Sequence, residues 1–218
     1  MGSTRSEQGA RQRTRDKARL VYREAILDAA EEELAASGFH ATRVQDIARR
    51  AGVAVGTFYN YFETKEDVLV ALLDLRMREM AEAFGPSAGE PQKWVDRLEA
   101  RLTRVLTYKD LHAAFFTVAI EHGLLGDATA AAKQLLGGRA LPHVGRFDRA
   151  IADLVDEGIA AGAIADGDRE LYAAFLRATV RGVARWARGK DATVTARDIA
   201  ATIVTLFLGG AGAAKRRR

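Results

Sequence analysis

A short stretch, VGTFYNYF from Val55 to Phe62, combines hydrogen-bonding groups and aromatic rings at a spacing that suits the two sides of one helix. In a helix, which turns about 100° per residue, the two phenylalanines fall on one side and the polar residues on the other. The apolar side holds Phe58 and Phe62, flanked by Val55 and Tyr61. The polar side holds Gly56, Thr57, Tyr59 and Asn60. The hydroxyl, phenol and amide on that side suit the phosphate oxygens and base edges of a nucleic acid.

Gly56 adds a steric argument to this chemistry. It has no side chain, so the beginning of the helix can approach a phosphate backbone closely. A helix with a purely structural role would more usually carry Lys and Glu at such exposed positions. The stretch therefore predicts core packing through one face and contact with a nucleic acid through the other.

Residue types that serve catalysis or metal binding are poorly represented. The chain has no cysteine, which excludes disulfides and thiolate metal sites. Its histidines stand at 40, 112, 122 and 143, so no two have the i, i+4 spacing of a metal-binding pair. Glu121 and His122 could act as an acid and a base, but adjacent helical residues point about 100° apart. We therefore expect no enzyme, no cofactor and no metal.

The composition is typical of a globular helical protein. Of 218 residues, 48% are hydrophobic and 28% charged, only 3 are proline, and alanine is abundant. No apolar run reaches the roughly 18 residues that would span a membrane, and the polar, basic N-terminus is unlike a secretory signal. We expect a cytoplasmic protein that does not associate with a membrane.

Positive charge is concentrated at the two ends of the chain. Residues 1–23 carry seven Lys or Arg against two acids, a net of +5, and residues 215–218 add +4. Because the whole chain has a net charge of only +4, the remainder is acidic, and residues 24–63 alone have a net of −4. The basic ends can be solubilising tails or can neutralise phosphates. Tail composition alone does not decide between these roles.

Apolar spacing predicts helices nearly throughout, and the fold class is therefore all-α. The first four are predicted at Leu20–Ala36 before Gly38, from a Thr42 cap to Ala51 before Gly52, at Val55–Tyr61, and from a Thr64 cap to Phe84 before Gly85. The later ones are predicted from Pro91 to Tyr108, from an Asp110 cap over LHAAFFTVAIEHGLL, from Asp127 to Ala161 with an interruption near Gly137, Gly138 and Pro142, and at Arg169–Arg188 and Thr195–Leu208.

Residues 25–73, which contain the three-residue turn at Gly52, resemble the DNA-binding domain of TetR-family transcriptional regulators. The matching elements are IL-x-AA from Ile26, Gly38, Thr42, DIA from Asp46, AGV from Ala51, GTFY from Gly56, YF from Tyr61 and KE from Lys65. The resemblance implies a basic, flexible arm at 1–19 and a three-helix helix-turn-helix DNA-binding domain at 20–65. A larger helical ligand-binding and dimerisation domain at 66–210 and a basic tail at 211–218 would follow.

The resemblance also implies roles for individual residues. Thr57, Tyr59 and Lys65 would contact phosphate, and Arg43 would reach the backbone near the start of the second helix. The residues that would face bases or the groove wall are Gln45, Val55, Gly56, Asn60 and Tyr61.

Three residues depart from the usual pattern of the family. Ala54 replaces a frequent serine, which predicts a recognition helix without a side-chain N-cap. Glu33 stands where a large apolar residue is common, and Arg43 replaces a frequent threonine. Glu33 therefore raises the question of how the first helix packs.

The larger domain would house a small, mostly apolar effector. Its candidate lining residues are Met80, Trp94, Leu98, Leu102, His112, Phe115, Phe116, Ile120, Phe147 and Phe175. Each could equally be ordinary core. The last two helices would pair with the same helices of a second copy to form a homodimer. The small residues that would permit close approach include Ala174, Ala178, Gly182 and Ala200. The larger residues that would supply apolar area include Leu171, Phe175, Ile199, Ile203 and Phe207.

A dimer of this kind would bind double-stranded DNA at a palindromic operator, because its two recognition helices would lie about one turn of DNA apart. Repression, relieved by the effector, is the commonest mode in the family. The alternatives from the residues are a DNA-binding protein without an effector, a metal-sensing regulator and an all-α enzyme.

Overall fold

The computed structural model describes residues 3–125, 143–187 and 194–211, with side chains except at 3–16, 144 and 211. Every regular element in these residues is a helix, which confirms the all-α class. The helices are α1 Ser3–Ala41, α2 Val44–Arg50, α3 Val55–Tyr59, α4 Lys65–Phe84, α5 Trp94–Leu111, α6 Ala113–Glu121, α7 Val144–Ala160, α8 Arg169–Ala187 and α9 Ala196–Ala211. The predicted helix start at Asp127, the interruption near 137–142 and the tail 212–218 lie outside the described residues.

The chain divides into two compact units. The first combines residues 1–73 with 113–139, and the second combines 74–112 with 140–218. The first unit thus contains α1 to α3, the beginning of α4 and α6, whereas α5, α7, α8 and α9 belong to the second. Within the first unit, α6 packs on α1. The domain bounds 20–65 and 66–210 stay a prediction.

α1 is much longer than its apolar pattern predicted. It begins at Ser3 rather than Leu20. Residues 3–19 have no proline and are rich in Arg, Gln and Ala, which favour helix without any apolar face. Gly38 interrupts the helix with φ 73° and ψ 168°, a conformation that glycine adopts without strain. The flexibility of the 1–19 arm stays a prediction.

The predicted cap of α2 is wrong. Thr42 is buried, and its hydroxyl donates to the carbonyl of Gly38 at 2.7 Å, so it closes the end of α1 instead. Arg43 occupies the N-cap position of α2 and provides no side-chain hydrogen bond there. A threonine at the junction of two helices can serve either one, and spacing alone does not distinguish them.

The predicted cap of α4 is confirmed. The hydroxyl of Thr64 accepts a hydrogen bond from the backbone N–H of Asp67 at 3.1 Å, and the Asp67 carboxylate accepts one from the Thr64 N–H at 2.9 Å. This reciprocal pair is a capping box. Thr195 and Asp198 form the same arrangement at the start of α9.

The bounds of α5 and α6 differ from those predicted. α5 begins at Trp94 rather than Pro91, and it continues through Asp110, which therefore caps nothing. The break falls at His112, whose φ of −113° and ψ of 30° are not helical. Because apolar residues run through both helices, their spacing does not reveal a kink between them.

The core of the second unit is built by α5 against α7 and α9. The indole N–H of Trp94 donates to the Leu154 carbonyl of α7 at 2.7 Å, and its ring lies so close to Gly158 that a Cβ there would be 2.6 Å away. On α9, the residues buried within the chain are Ile199, Ala200, Ile203, Val204 and Phe207. Ile199, Ala200, Ile203 and Phe207 were predicted to face a dimer partner. That part of the prediction is wrong, because these side chains are buried inside the single chain.

Candidate nucleic-acid interface

α3 separates its residues as the sequence predicted. Phe58 is completely buried and Phe62 nearly so, with ring centroids 5.9 Å apart. Tyr59 is 51% exposed, and its ring stands edge-on to Phe58. The remaining exposed residues on this helix and its C-cap are Val55, Gly56 and Asn60, and Thr57 and Tyr61 are half-buried. The two phenylalanines thus hold the helix to its unit while one face stays open to a partner.

α2 and the turn present α3 by well-defined backbone geometry. Ile47 and Ala48 are buried, whereas Gln45 is exposed beside the turn. Gly52 has φ 68°, which permits the tight turn, and the N–H of Val53 closes it by donating to the Ala48 carbonyl at 3.0 Å. Ala54 provides no side-chain cap for α3, as its identity predicted.

The ion pairs around α2 explain Glu33. Its carboxylate accepts a hydrogen bond from Arg50 at 2.6 Å, and Glu32 accepts another at 3.0 Å. The hydrogen bonds that Arg50 donates, to Glu33 first and to Glu32 second, raise the pKa of Arg50 above its usual value. Glu33 therefore joins α1 to α2 through charge where a large apolar residue is usual, a pairing between residues 17 positions apart that helical spacing could not reveal.

The same pairs leave little free positive charge on the helix-turn-helix. Arg49 pairs with Asp46 at 2.6 Å, and Arg50 is held by α1. Within the described part of residues 24–63, Arg43 is the arginine that makes no ion pair, and it is exposed at the start of α2. On α1, just before these residues, Lys17 and Arg19 add exposed positive charge.

Lys65 has a structural role that its sequence position did not reveal. Its ammonium donates to the carbonyls of Phe39, His40 and Thr42 at 2.9, 3.2 and 3.0 Å, and it lies 4.7 Å from the centre of the Phe39 ring. These bonds satisfy the last carbonyls of α1. An ammonium has three donors, so a phosphate contact by Lys65 would require one of these bonds to be given up.

The predicted ligand-binding residues divide between the two units. Within the first unit, Phe115 and Phe116 are buried and Ile120 is exposed. Within the second, Met80, Trp94, Leu98 and Leu102 are buried, Phe147 contacts the Phe84 ring, Phe175 contacts the Phe207 ring, and His112 contacts Tyr108. The N–H of Trp94 donates to the Leu154 carbonyl and its ring packs against Gly158, so this donor is already used within the second unit.

One buried polar cluster in the second unit escaped the sequence analysis. Arg76 is buried on α4 and donates to Glu79 at 2.5 Å, and the hydroxyl of Tyr108 donates to the same carboxylate. Burial alone would raise the pKa of Glu79, but the hydrogen bonds from Tyr108 and Arg76 lower it. Burial and the bond to Glu79 raise the pKa of Tyr108. The cluster joins α4 to α5. In the sequence, the only feature that could have indicated it is the spacing of Arg76 and Glu79, three residues apart on one helix.

The described residues contain neither a cluster of metal ligands nor a helix suited to a membrane. Among them, no three or more His, Cys, Asp or Glu side chains converge as metal ligands. No helix in the described ranges is both long enough and apolar enough to cross a membrane.

The helix-turn-helix region matches a known family, described as bacterial regulatory proteins of the tetR family, over residues 26–72. A fatty acid metabolism regulator protein of Bacillus subtilis (strain 168) is 47% identical over 57 residues, which cover 26% of this chain and 29% of that protein. The transcriptional repressor KstR of Rhodococcus jostii (strain RHA1) is 32% identical over 133 residues, 60% of each chain. The chain thus spans less than two thirds of the length of these two relatives.

Solved structures extend the likeness to most of the chain. The regulator FadR from Bacillus subtilis, solved in complex with stearoyl-CoA, superposes with a TM-score of 0.70 at 23% identity, over 86% of this chain and 98% of that one. At this identity the likeness concerns the fold, and it includes the helices beyond the matched 26–72 segment. Together with the open face of α3, the match over residues 26–72 identifies a helix-turn-helix domain of the TetR family of transcriptional regulators in this chain.

Proposed function

We propose that this protein is a ligand-responsive repressor that binds a palindromic operator as a homodimer and is released by a small, mostly apolar effector. The observation that carries the proposal is the division of α3 into a buried and an open face. Phe58 and Phe62 fix the helix, and Tyr59, Asn60 and Gly56 remain exposed. An open helix face with hydroxyl and amide groups suits the major groove of DNA.

The roles within this interface are those that the resemblance to the family implies. Thr57 and Tyr59 donate to phosphate oxygens, and Arg43 binds the backbone at the start of α2. Val55, Gly56, Asn60 and Tyr61, with Gln45 on α2, face the bases or the groove wall. Lys65 approaches a phosphate only after one of its carbonyl bonds is exchanged.

A homodimer is supported by an exposed small and apolar face on α8. Leu171, Phe175, Ala178, Gly182 and Trp186 recur at i, i+4, i+7, i+11 and i+15, which places them on one side of the helix, and all are exposed. Pairing this face with that of a second copy by two-fold symmetry would bury it. Two recognition helices would then be about 34–36 Å apart, which predicts a palindromic site.

Repression and an apolar effector are supported by the similar proteins. KstR carries the description of a repressor, and the FadR structure was solved with stearoyl-CoA. In this chain the candidates for the lining are Met80, Trp94, Leu98, Leu102, His112, Phe115, Phe116, Ile120, Phe147 and Phe175. An effector would act by selecting a conformation whose recognition helices have the wrong spacing.

The test of DNA binding starts from sheared genomic DNA of the organism that encodes the chain. The protein is incubated with it at near-physiological salt, and the retained fragments are sequenced. Tyr59→Phe and Thr57→Ala remove single hydroxyls from the open face, and Thr117→Ala, on the exposed side of α6, is the matched control. We expect a sharp palindrome for the wild type and the control, and weaker retention for the other two. Diffuse retention by every variant would contradict the proposal.

The test of effector release uses the recovered site. Stearoyl-CoA and free coenzyme A share a head group and differ in the apolar chain, so they form a matched pair of probes. Release of the DNA by stearoyl-CoA alone would support an apolar effector of this class. Release by neither would favour a DNA-binding regulator that responds to another molecule or to none.

A further inference from the structure

In the N-terminal part of α1, no side of the helix is covered by the rest of the first unit at residues 17–22. Residues 17–22 are all exposed, although a helix packed on its own domain would bury one side. This segment carries Lys17 and Arg19, and the helix continues through it without interruption from Ser3. It therefore extends from the helix-turn-helix as a single helix rather than as an irregular arm.

The arginines of this extension follow one helical face. Positions 11, 15, 19 and 23 are arginine at intervals of four, so they form a stripe that turns only slowly around the helix. Arg13 and Lys17 fall on the opposite side, about 160° from their neighbours in the stripe. We call positions 11, 15, 19 and 23 the arginine face and positions 13 and 17 the opposite face.

Arg23 places one end of the arginine face beside the segment that follows α3. Its guanidinium lies 5.5 Å from the centre of the Phe62 ring, which follows α3 directly in the chain. Arg19 stands one helical turn before Arg23 and is exposed. The arginine face therefore begins beside Phe62, just after α3, and runs from there along α1.

We propose that the arginine face is a rigid phosphate-binding surface that extends the interface of the helix-turn-helix along the DNA backbone flanking each half-site. Successive positions are about 6 Å apart along the helix, close to the rise of two phosphates on one strand. The helix-turn-helix itself offers little free positive charge, since Arg49 and Arg50 are paired with carboxylates. The inference rests on the proposed DNA binding and adds that affinity depends on which helical face carries the charge.

Two double variants separate a rigid face from a flexible arm. Arg15→Gln/Arg19→Gln and Arg13→Gln/Lys17→Gln remove the same charge from opposite sides of the helix. Binding to a labelled duplex of random sequence is followed by fluorescence anisotropy between about 50 and 200 mM salt. Each lost phosphate contact lowers the slope of log K against log salt by about 0.9, so we expect a loss of about 2 per protomer for the arginine-face variant and a much smaller change for the other.

A third variant tests whether the helix must be continuous. Ala18→Pro keeps every charge but breaks the helix between the extension and the domain, and Ala18→Ser is its control. We expect Ala18→Pro to lower affinity and flatten the salt slope, because Arg11 and Arg15 lose their fixed position relative to Arg19 and Arg23, with Ala18→Ser close to wild type. Equal effects of the two double variants, or no effect of Ala18→Pro, would overturn the rigid face.

Failure of this inference is distinguishable from failure of the proposed function. The random duplex measures phosphate contact whether or not a palindrome exists. If Thr57→Ala and Tyr59→Phe weaken binding while the two double variants are equivalent, the recognition helix binds DNA and the arginine face is wrong. If the double variants differ but Thr57→Ala and Tyr59→Phe change nothing, the extension binds DNA and the recognition helix does not.

Discussion

Lys65 illustrates how one side chain can hold two elements together. Its ammonium satisfies three carbonyls at the end of α1, and its position above Phe39 adds a cation–π contact. Replacing it by Met keeps much of the aliphatic stem and removes every donor. The carbonyls of Phe39, His40 and Thr42 would then lose their charged partner at the join between α1 and α4.

We expect Lys65→Met to lower the free energy of unfolding by about 1–3 kcal/mol, measured by urea denaturation. Lys93→Met replaces an exposed lysine that provides no cap to α5, and its stability should change by less than about 0.5 kcal/mol. Unchanged stability of Lys65→Met together with lost DNA affinity would mean that Lys65 acts through phosphate alone.

Ala54 is the residue at which α3 lacks a cap. Its φ of −67° and ψ of 148° already suit an N-cap, and the helix that follows is only five residues long. Ala54→Ser should therefore raise the free energy of unfolding by about 0.5–1 kcal/mol, because a hydroxyl can accept from an unpaired N–H of the first turn. Ala54→Val, which fits the same backbone without an acceptor, is the control. Equal stability of the two variants would show that the position gains nothing from a cap.

At the scale of elements, apolar periodicity predicted the helices that bury one face. It failed where a helix boundary or a contact does not depend on an apolar face. The burial of Phe58 and Phe62 follows from spacing, and the end of α4 at Phe84 follows from the Gly85-Pro86 break. The start of α1 does not follow from spacing, because a helix without an apolar face leaves no periodic signal. The Arg50–Glu33 pair joins residues 17 positions apart, and apolar residues continue on both sides of the kink at His112, so neither has a periodic signal.

The loop between α4 and α5 is held by a cluster of charged side chains. Glu90 accepts hydrogen bonds from Arg101 at 2.9 and 3.1 Å and from Arg104 at 2.9 Å. Arg104 also donates to the carbonyls of Ala83 and Gly85, at the end of α4. The bond from Arg101 is the largest cause of the low pKa of Glu90, which is about 2 despite the opposing effect of burial.

The depressed pKa of Glu90 makes the stability of this join depend on pH. Because the carboxyl binds a proton more weakly in the folded chain, its contribution is complete above the ordinary pKa of 4.5 and is lost as the pH falls towards 2. Glu90→Gln should cost on the order of 1–2 kcal/mol at neutral pH, less than the full shift implies because Arg104 is partly solvated.

Urea denaturation from about pH 7 to about pH 2 measures this difference, which should shrink as Glu90 becomes protonated. Glu82→Gln, which removes an exposed carboxylate 3.7 Å from Arg78, is the control and should change stability little at any pH. A difference between wild type and Glu90→Gln that stays constant down to the lowest pH would contradict the role of the charge.

At the scale of the whole molecule, the proposed dimer depends on the exposed face of α8, because only a dimer can place two recognition helices on one operator. Ala178 is exposed at the middle of that face, between Phe175 and Gly182, where a small residue permits two helices to approach closely. A long charged side chain at this position would separate the partners and bury an unpaired charge between them. The fold of the single chain would be preserved, because an exposed helical position tolerates arginine.

Ala178→Arg should therefore convert a dimer to a monomer in sedimentation velocity, and it should weaken binding to a palindrome far more than binding to a single half-site. Ala160→Arg makes the same substitution at an exposed alanine near the end of α7 and should leave both properties unchanged. Because both variants add one positive charge, any non-specific gain in DNA affinity is common to them. A dimer that persists in Ala178→Arg would place the interface elsewhere, and equal loss at palindrome and half-site would show that the two recognition helices bind independently.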